Sequence, residues 1–140
     1  MRIGLGILTV ILALNWSKPV QADQVINPEP GIEATIGAQI EAFLADDFAT
    51  AFTFASPMIQ GMFGTHQRFG QMVRNGYPMV WRPGDVQYLE MRNVDGALWQ
   101  RVMIRDQLGG IHMLDYQMVQ TDGVWRINGV TLVRAPDVGA

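Results

Sequence analysis

Cysteine is absent from this chain of 140 residues, and lysine occurs once, as Lys18. Without cysteine the protein has no thiol nucleophile, no disulfide and no thiolate metal site. Because Lys18 lies in a segment that we predict to be removed on export, the mature chain cannot form a Schiff base with a carbonyl substrate. The sequence also contains no glycine-rich phosphate-binding loop. These absences exclude several large classes of enzyme.

Positive charge and histidine are also scarce. Without residues 1–22, 8 basic and 13 acidic residues remain, and the net charge falls from −3 to −5. The arginines are scattered, whereas nucleic-acid binding needs a clustered basic surface. The two histidines, His66 and His112, stand at no fixed spacing from a carboxylate, which is weak support for a metal site. We therefore expect no nucleic-acid partner, no metal and no cofactor.

The first 22 residues have the three-part pattern of a secretory signal peptide. Arg2 gives a positive start, Ile3 to Leu14 form a mostly apolar run, and Ala22 ends a short stretch with small residues suited to cleavage. The apolar run is too short to span a bilayer. The sequence predicts cleavage near Ala22 and a periplasmic or secreted protein. The alternative is an uncleaved membrane anchor.

Helical periodicity follows a polar segment. Residues 23–31 contain two prolines and predict a flexible arm. An apolar stripe from Ile32 to Leu44 predicts the first helix. Capping residues predict three shorter helices, which begin after Asp46-Asp47, at Ser56-Pro57 and after Thr65.

Beyond Pro78 the apolar period changes to two, which is the period of β-strands. Turn-forming residues separate four such segments, and Gly129 inside the last one indicates a β-bulge. The predicted strands are Val86 to Arg92, Leu98 to Arg105, Ile111 to Gln120 and Val124 to Val133. The order predicts an α+β fold in which N-terminal helices pack on a curved four-stranded antiparallel meander, a cone with a pocket. The domain covers 32–134, and 135–140 form a C-terminal tail.

Several segments resemble known families. The C-terminal stretch IHMLDYQMVQTDGVWRINGVTLV, after a helical half, is similar to the nuclear-transport-factor-two-like superfamily of cystatin-like α+β cones. The segments QIEAFLADDFATAFTFASPMIQ, MVRNGYPMV and DGVWRINGV resemble an uncharacterised bacterial family known as a domain of unknown function. The resemblance implies the cone fold. It implies no activity, because the superfamily includes isomerases, cyclases, lipid carriers and association domains.

Three aromatic residues are the candidate ligand-binding residues. Tyr77 and Trp81 lie in the segment RNGYPMVWRPGDV, which connects the helices to the sheet, and Tyr116 lies in the third predicted strand. Aromatic side chains with a polar end are typical of the rim of a small apolar pocket. The alternative is that this segment is only a hinge, because packing explains most aromatic residues.

An enzyme of the isomerase type needs a base and a hydrogen-bond donor in one apolar cavity. Asp115 and Tyr116 are adjacent on one strand and so point to opposite faces, which argues against this chemistry. Asp106 precedes a glycine-rich turn, where capping is its expected role. Arg101 and Arg105 share a strand face with Trp99, and this outer face is a candidate dimer interface.

The expected function is non-catalytic binding of an apolar small molecule or lipid, or an accessory role for another envelope protein, with no catalytic residues assigned. One alternative is a small isomerase-like or cyclase-like enzyme of the same fold. A second is a scaffold that forms homodimers through the outer sheet face.

Overall fold

The computed structural model describes Gly4 and residues 24–134. Five helices and five strands occupy this part of the chain. In chain order they are β1 (Gln24–Ile26), α1 (Pro30–Leu44), α2 (Phe48–Thr53), α3 (Pro57–Phe63), α4 (His66–Gly76), α5 (Pro78–Trp81), β2 (Pro83–Val94), β3 (Ala97–Asp106), β4 (Ile111–Thr121) and β5 (Val124–Val133). The predicted C-terminal tail and, apart from Gly4, the predicted signal peptide lie outside the described residues.

The strands form one open antiparallel sheet in the order β1-β2-β3-β4-β5. The α+β class is confirmed, but the prediction of four strands is wrong. Residues 24–26, assigned to a flexible arm, pair with β2 through Val25 and Arg92. A strand of three residues is too short to show a period in the sequence, and the free edge of β2 supplies its hydrogen bonds. The arm is therefore partly ordered as an edge strand.

Two hairpins of the meander use an Asp-Gly pair. Asp95 and Gly96 have φ values of 51° and 87°, and Asp122 and Gly123 have values of 51° and 77°. Positive φ at both central residues is the geometry of a two-residue turn whose twist matches that of the strands. The prediction that turn-forming residues connect these strands is confirmed.

Irregular pairing bends the sheet in its first and last long strands. In β5 the register shifts between the pairs Gln117–Gly129 and Met118–Ile127, which leaves Asn128 as the extra residue of a bulge. The prediction of a bulge near Gly129 is confirmed. Strand β2 contains two further register shifts. Bulges increase the local twist and bend the strand that carries them.

The hydrophobic core lies between the helices and one face of the sheet, which we call the inner face. The side chains of Ile32 and Ile36 of α1 are fully buried, as are those of Val102 of β3 and Leu114 of β4. Alternate residues of each strand point to the same side of the sheet. The apolar period of two therefore gives each strand one row of apolar side chains that faces the helices. Within residues 24–134, no helix is long and apolar enough to cross a membrane.

The segment between α4 and the sheet contains a helix that the sequence did not predict. Tyr77 leaves the helical region, with φ −135° and ψ 54°, and Pro78 starts the single-turn helix α5. Proline is favoured at the first position of a helix because its missing N–H has no partner there. Met79 and Val80 of this turn are buried, so α5 continues the core up to the start of β2.

Candidate functional site

An open cavity of about 230 Å³ lies between the helices and β5. We call it the inner cavity. Three phenylalanines form much of its wall, Phe43 from α1, Phe63 from α3 and Phe69 from α4. The rings of Phe43 and Phe63 both pack against Phe69, with centroid distances of 5.9 Å and 5.7 Å. Contacts at these distances are favourable between tilted aromatic rings, so these three residues form a packed aromatic cluster within the wall.

Two side chains bring polar atoms other than sulfur to this wall. Gln39 of α1 is 3% exposed, and its Nε2 donates a hydrogen bond to the carbonyl oxygen of Ala51, 3.2 Å away. The hydroxyl of Tyr77 donates to the carbonyl oxygen of Val130 at 3.0 Å. Among the described residues that line the cavity, none is Asp, Glu, His, Lys or Arg. The wall is therefore uncharged.

Helix α3 forms the mouth of the inner cavity. Its residues Ile59, Met62 and Phe63 line the cavity, and Met62 is 66% exposed. Every residue of α3 is at least partly exposed, although four of the seven are isoleucine, methionine or phenylalanine. In the middle of the helix, Gln60 Nε2 donates to the carbonyl oxygens of Phe52 and Ala55, both at 3.1 Å.

The two ends of α3 have different anchors. Before the helix, Ser56 is 1% exposed; its Oγ donates to Oδ1 of Asn128 at 2.7 Å and accepts from the backbone N–H of Ile59 at 3.3 Å. Asn128 is the extra residue of the β5 bulge, so the bulge positions the start of α3. After the helix, Gly64 has φ 76°, a conformation that favours glycine.

The three predicted ligand-binding residues do not share one cavity. Tyr77 lines the inner cavity, whereas Trp81 and Tyr116 are not among its lining residues. The turn of α5 directs Val80 to the cavity instead.

The half-buried Trp81 belongs to a cluster of charged groups. The guanidinium carbons of Arg74 and Arg82 lie 4.8 Å and 4.1 Å from the centroid of its ring. The ring N–H of Trp81 donates to Asp46, which also accepts from Arg82. This cluster ties the end of α1 to α5.

Tyr116 lies on the inner face and is fully buried. It pairs across the strands with Gln100, which is 1% exposed. Among the described residues, neither the Tyr116 hydroxyl nor Oε1 of Gln100 has a hydrogen-bond partner. Burial raises the pKa of Tyr116, so its hydroxyl stays protonated. Two neighbouring side chains therefore place unpaired polar oxygens in the core, an unfavourable arrangement.

Asp115 and Tyr116 point to opposite faces of β4, as predicted. Asp115 accepts two hydrogen bonds of 3.0 Å from the guanidinium group of Arg101 on the outer face.

The ion pair of Arg101 belongs to a larger network on the outer face. Arg101 also contacts Glu90, which accepts a 2.8 Å hydrogen bond from Arg92. A depression of about 320 Å³ lies here, with Trp99 in its wall. The charged groups of the outer face are thus arranged as a network beside one aromatic ring.

Asp106 and His112 form a structural pair at the turn between β3 and β4. Asp106 accepts from the backbone N–H groups of Leu108 and Gly110, and its other oxygen lies 2.8 Å from Nε2 of His112. The predicted capping role of Asp106 is confirmed. Within residues 24–134, no group of three or more His, Asp or Glu side chains is placed to hold a metal ion.

Comparison with known proteins assigns a family. The model of a family described as a domain of unknown function, DUF4864, matches residues 26–140, and the chain belongs to this family. No curated protein and no solved structure matches the chain.

The sequence reasoning missed most of the cavity wall. Phe43 belongs to the apolar stripe that predicted α1, but a stripe does not distinguish a packed core from the wall of a cavity. Gln39 was not among the predicted site residues, yet it is buried in the wall of the cavity. The only signal in the sequence was that Gln39 lies within one helical turn of several apolar core positions.

Proposed function

We propose that this protein binds a small apolar molecule in the inner cavity and catalyses no reaction. The observation that carries this proposal is an open cavity with an uncharged, largely apolar wall. Ligand pockets are typically apolar with a few polar groups that orient the ligand. An apolar cavity of about 150 Å³ in another protein binds benzene, so the volume here is sufficient for a small organic molecule.

The composition of the wall supports binding over catalysis. An isomerase or cyclase needs a group that accepts a proton and a group that stabilises negative charge within reach of the substrate. The described residues of the wall offer the Gln39 amide and the Tyr77 hydroxyl, and the latter is already donating to Val130. The enzyme alternative therefore has no acid–base pair at this site to support it.

We further propose that the protein acts after export, in the periplasm or outside the cell, and that its sheet and helices form a cone of the nuclear-transport-factor-two-like superfamily. The signal pattern of residues 1–22 supports export. The order of helices before a meander and the bulges in β2 and β5 support a curved sheet around the helices. An intact mass of the exported protein that includes Met1 would contradict signal cleavage.

The binding proposal is tested on the mature protein purified from its own cells. Native mass spectrometry and organic extraction should find an apolar compound bound to it. Val73→Phe places a ring in the cavity, because Val73 is 4% exposed and lines the wall. This variant should lose the compound, whereas Val124→Phe, the same change at an exposed site, should keep it. Retention of the compound by the folded Val73→Phe variant would show that it binds elsewhere.

A second proposal is a homodimer through the outer sheet face. It is supported by the depression of about 320 Å³ beside Trp99 on this face. Sedimentation velocity over a concentration series should show a dimer that Trp99→Ala weakens and Leu108→Ala, at a fully exposed turn, does not. A monomer at every concentration would contradict this proposal.

A further inference from the structure

The polar groups of the inner cavity restrict the chemical class of the ligand. This inference rests on the proposed binding function. Tyr77 uses its hydroxyl hydrogen on the carbonyl oxygen of Val130, 3.0 Å away. A tyrosine hydroxyl has one hydrogen to donate, and its oxygen also accepts. What Tyr77 can offer a ligand without losing that bond is therefore an acceptor.

Gln39 is the second polar side chain of the cavity wall. Its Nε2 is held by the carbonyl oxygen of Ala51, which connects α1 to the end of α2. A glutamine amide has one oxygen acceptor and two N–H donors. One N–H of Nε2 is held by Ala51, so Gln39 can present its oxygen as an acceptor and its second N–H as a donor. Both polar positions of the wall therefore match a ligand that donates a hydrogen bond.

The same wall is unsuited to an anion. Among the described lining residues, no Arg, Lys or His is present, and no titratable group other than Tyr77. A carboxylate or phosphate moved from water into such a site keeps neither its hydration nor a counter-charge, and this transfer is strongly unfavourable. A fatty-acid anion or a phospholipid headgroup would have to remain outside, at the mouth formed by α3.

The volume and shape of the wall limit the apolar part. A cavity of about 230 Å³ has room for one or two rings, given that benzene occupies an apolar cavity of about 150 Å³. Two acyl chains do not fit into this volume. The rings of Phe43, Phe63 and Phe69 offer faces and edges to which a flat ligand can pack.

We propose that the ligand of the inner cavity is a neutral molecule of one or two rings, with a hydroxyl or N–H group that donates to Tyr77 or Gln39. The volume of the cavity excludes a diacyl lipid, and its uncharged wall disfavours the carboxylate of a free fatty acid. The structure thus narrows the ligand from the broad class of apolar molecules and lipids to uncharged ring compounds with one hydrogen-bond donor.

Three compounds with the same rings test the ligand class at pH 7 by isothermal titration calorimetry: naphthalene, 2-naphthol and 2-naphthoate. We expect 2-naphthol to bind tightest, naphthalene about five- to tenfold more weakly because it lacks the donor, and 2-naphthoate at least tenfold more weakly than 2-naphthol. Tyr77→Phe removes the acceptor and should reduce the difference between 2-naphthol and naphthalene, while Gln39→Leu tests the second acceptor.

The outcomes separate the ligand class from the binding function. If 2-naphthoate binds as tightly as 2-naphthol, or if the preference for 2-naphthol is unchanged in both variants, the inference about the ligand class is wrong. Binding in the cavity still stands in that case, provided that Val73→Phe blocks all three compounds. If none of the compounds binds to the folded wild-type protein, both the ligand class and the proposed binding function are overturned.

Discussion

The hydroxyl of Tyr77 donates a hydrogen bond to the carbonyl oxygen of Val130, 53 positions later in the chain, over a distance of 3.0 Å. This bond connects the segment between α4 and α5 to β5, the strand that closes the inner cavity. Tyr116, on the neighbouring strand, is fully buried and pairs with Val130 across the sheet, but its hydroxyl has no partner among the described residues. Tyr77 and Tyr116 therefore differ. The hydroxyl of Tyr77 has a hydrogen-bond partner, and that of Tyr116 has none among the described residues.

This difference predicts opposite effects of the same substitution. Tyr77→Phe should lower the free energy of unfolding by about 1 kcal/mol, because it removes a made hydrogen bond. Tyr116→Phe should leave it unchanged or raise it by about 1 kcal/mol, because it removes a buried hydroxyl without a partner. Urea denaturation of both variants measures the effect. A loss in Tyr116→Phe as large as that in Tyr77→Phe would indicate that the Tyr116 hydroxyl is hydrogen-bonded in solution, for example to water.

Gly70 is predicted to be a position where any added side-chain atom is unfavourable. A Cβ atom at Gly70 would lie 2.7 Å from the ring of Phe48, which packs against Phe43. Gly70→Ala should therefore destabilise the protein by about 1–3 kcal/mol through overpacking. Gly76, in the same helix, has open space around its Cβ position, and Gly76→Ala is the matched control, with a neutral or stabilising effect of up to about 1 kcal/mol. Equal melting temperatures for both variants would contradict the predicted contact.

Ser56→Ala should loosen α3 at the mouth of the cavity. The variant loses both the cap on Ile59 and the bond to Asn128, and the expected loss of stability is about 1–2 kcal/mol. Thr65→Ala, at the exposed cap of α4, loses only a cap on Arg68 and should lose about 1 kcal/mol or less. Amide exchange measures both effects. It should accelerate throughout α3 in Ser56→Ala, and unchanged exchange there would show that the Asn128 bond does not hold the helix.

Acid should destabilise the protein in part through Asp106. The hydrogen bond to His112, and then that from the backbone of Gly110, hold the pKa of Asp106 below its ordinary value of 3.8. A carboxylate with a lowered pKa in the folded state adds stability above its unfolded pKa, and this stability is lost as the pH falls through the folded pKa. The loss should therefore begin near pH 3.8 and continue below it.

Asp106→Asn should reduce the acid dependence, measured as urea stability between about pH 5 and pH 2. Asp85→Asn removes an equal charge from an exposed position on β2 and is the control. Asp46 and Asp47 also have lowered pKa values, through hydrogen bonds with Trp81 and Thr50, so part of the acid dependence remains in the Asp106 variant. An unchanged pH profile in Asp106→Asn would show that the ionisation of Asp106 contributes nothing to the acid dependence.

Local sequence features determined most of the secondary structure. The stripe of Ile32, Ile36 and Ile40 predicted α1, and the pair Asp122-Gly123 predicted the last hairpin, because helix periodicity and turn conformations depend on residues that are neighbours in the chain. The opposite orientations of Asp115 and Tyr116 follow from the strand period in the same way. The resemblance to an uncharacterised domain family also came from the sequence, and the match of a domain of unknown function over residues 26–140 supports that part of it.

The tertiary structure alone decided where the chain leaves an open volume. The edge strand Gln24–Ile26 exists because the edge of β2 pairs with it, and a segment of three residues carries no such signal by itself. Trp81 was placed away from the cavity, and Val80 into it, by the unpredicted turn α5. Apolar side chains at a cavity and in a packed core have the same pattern in sequence, since the difference lies in what faces them across the fold.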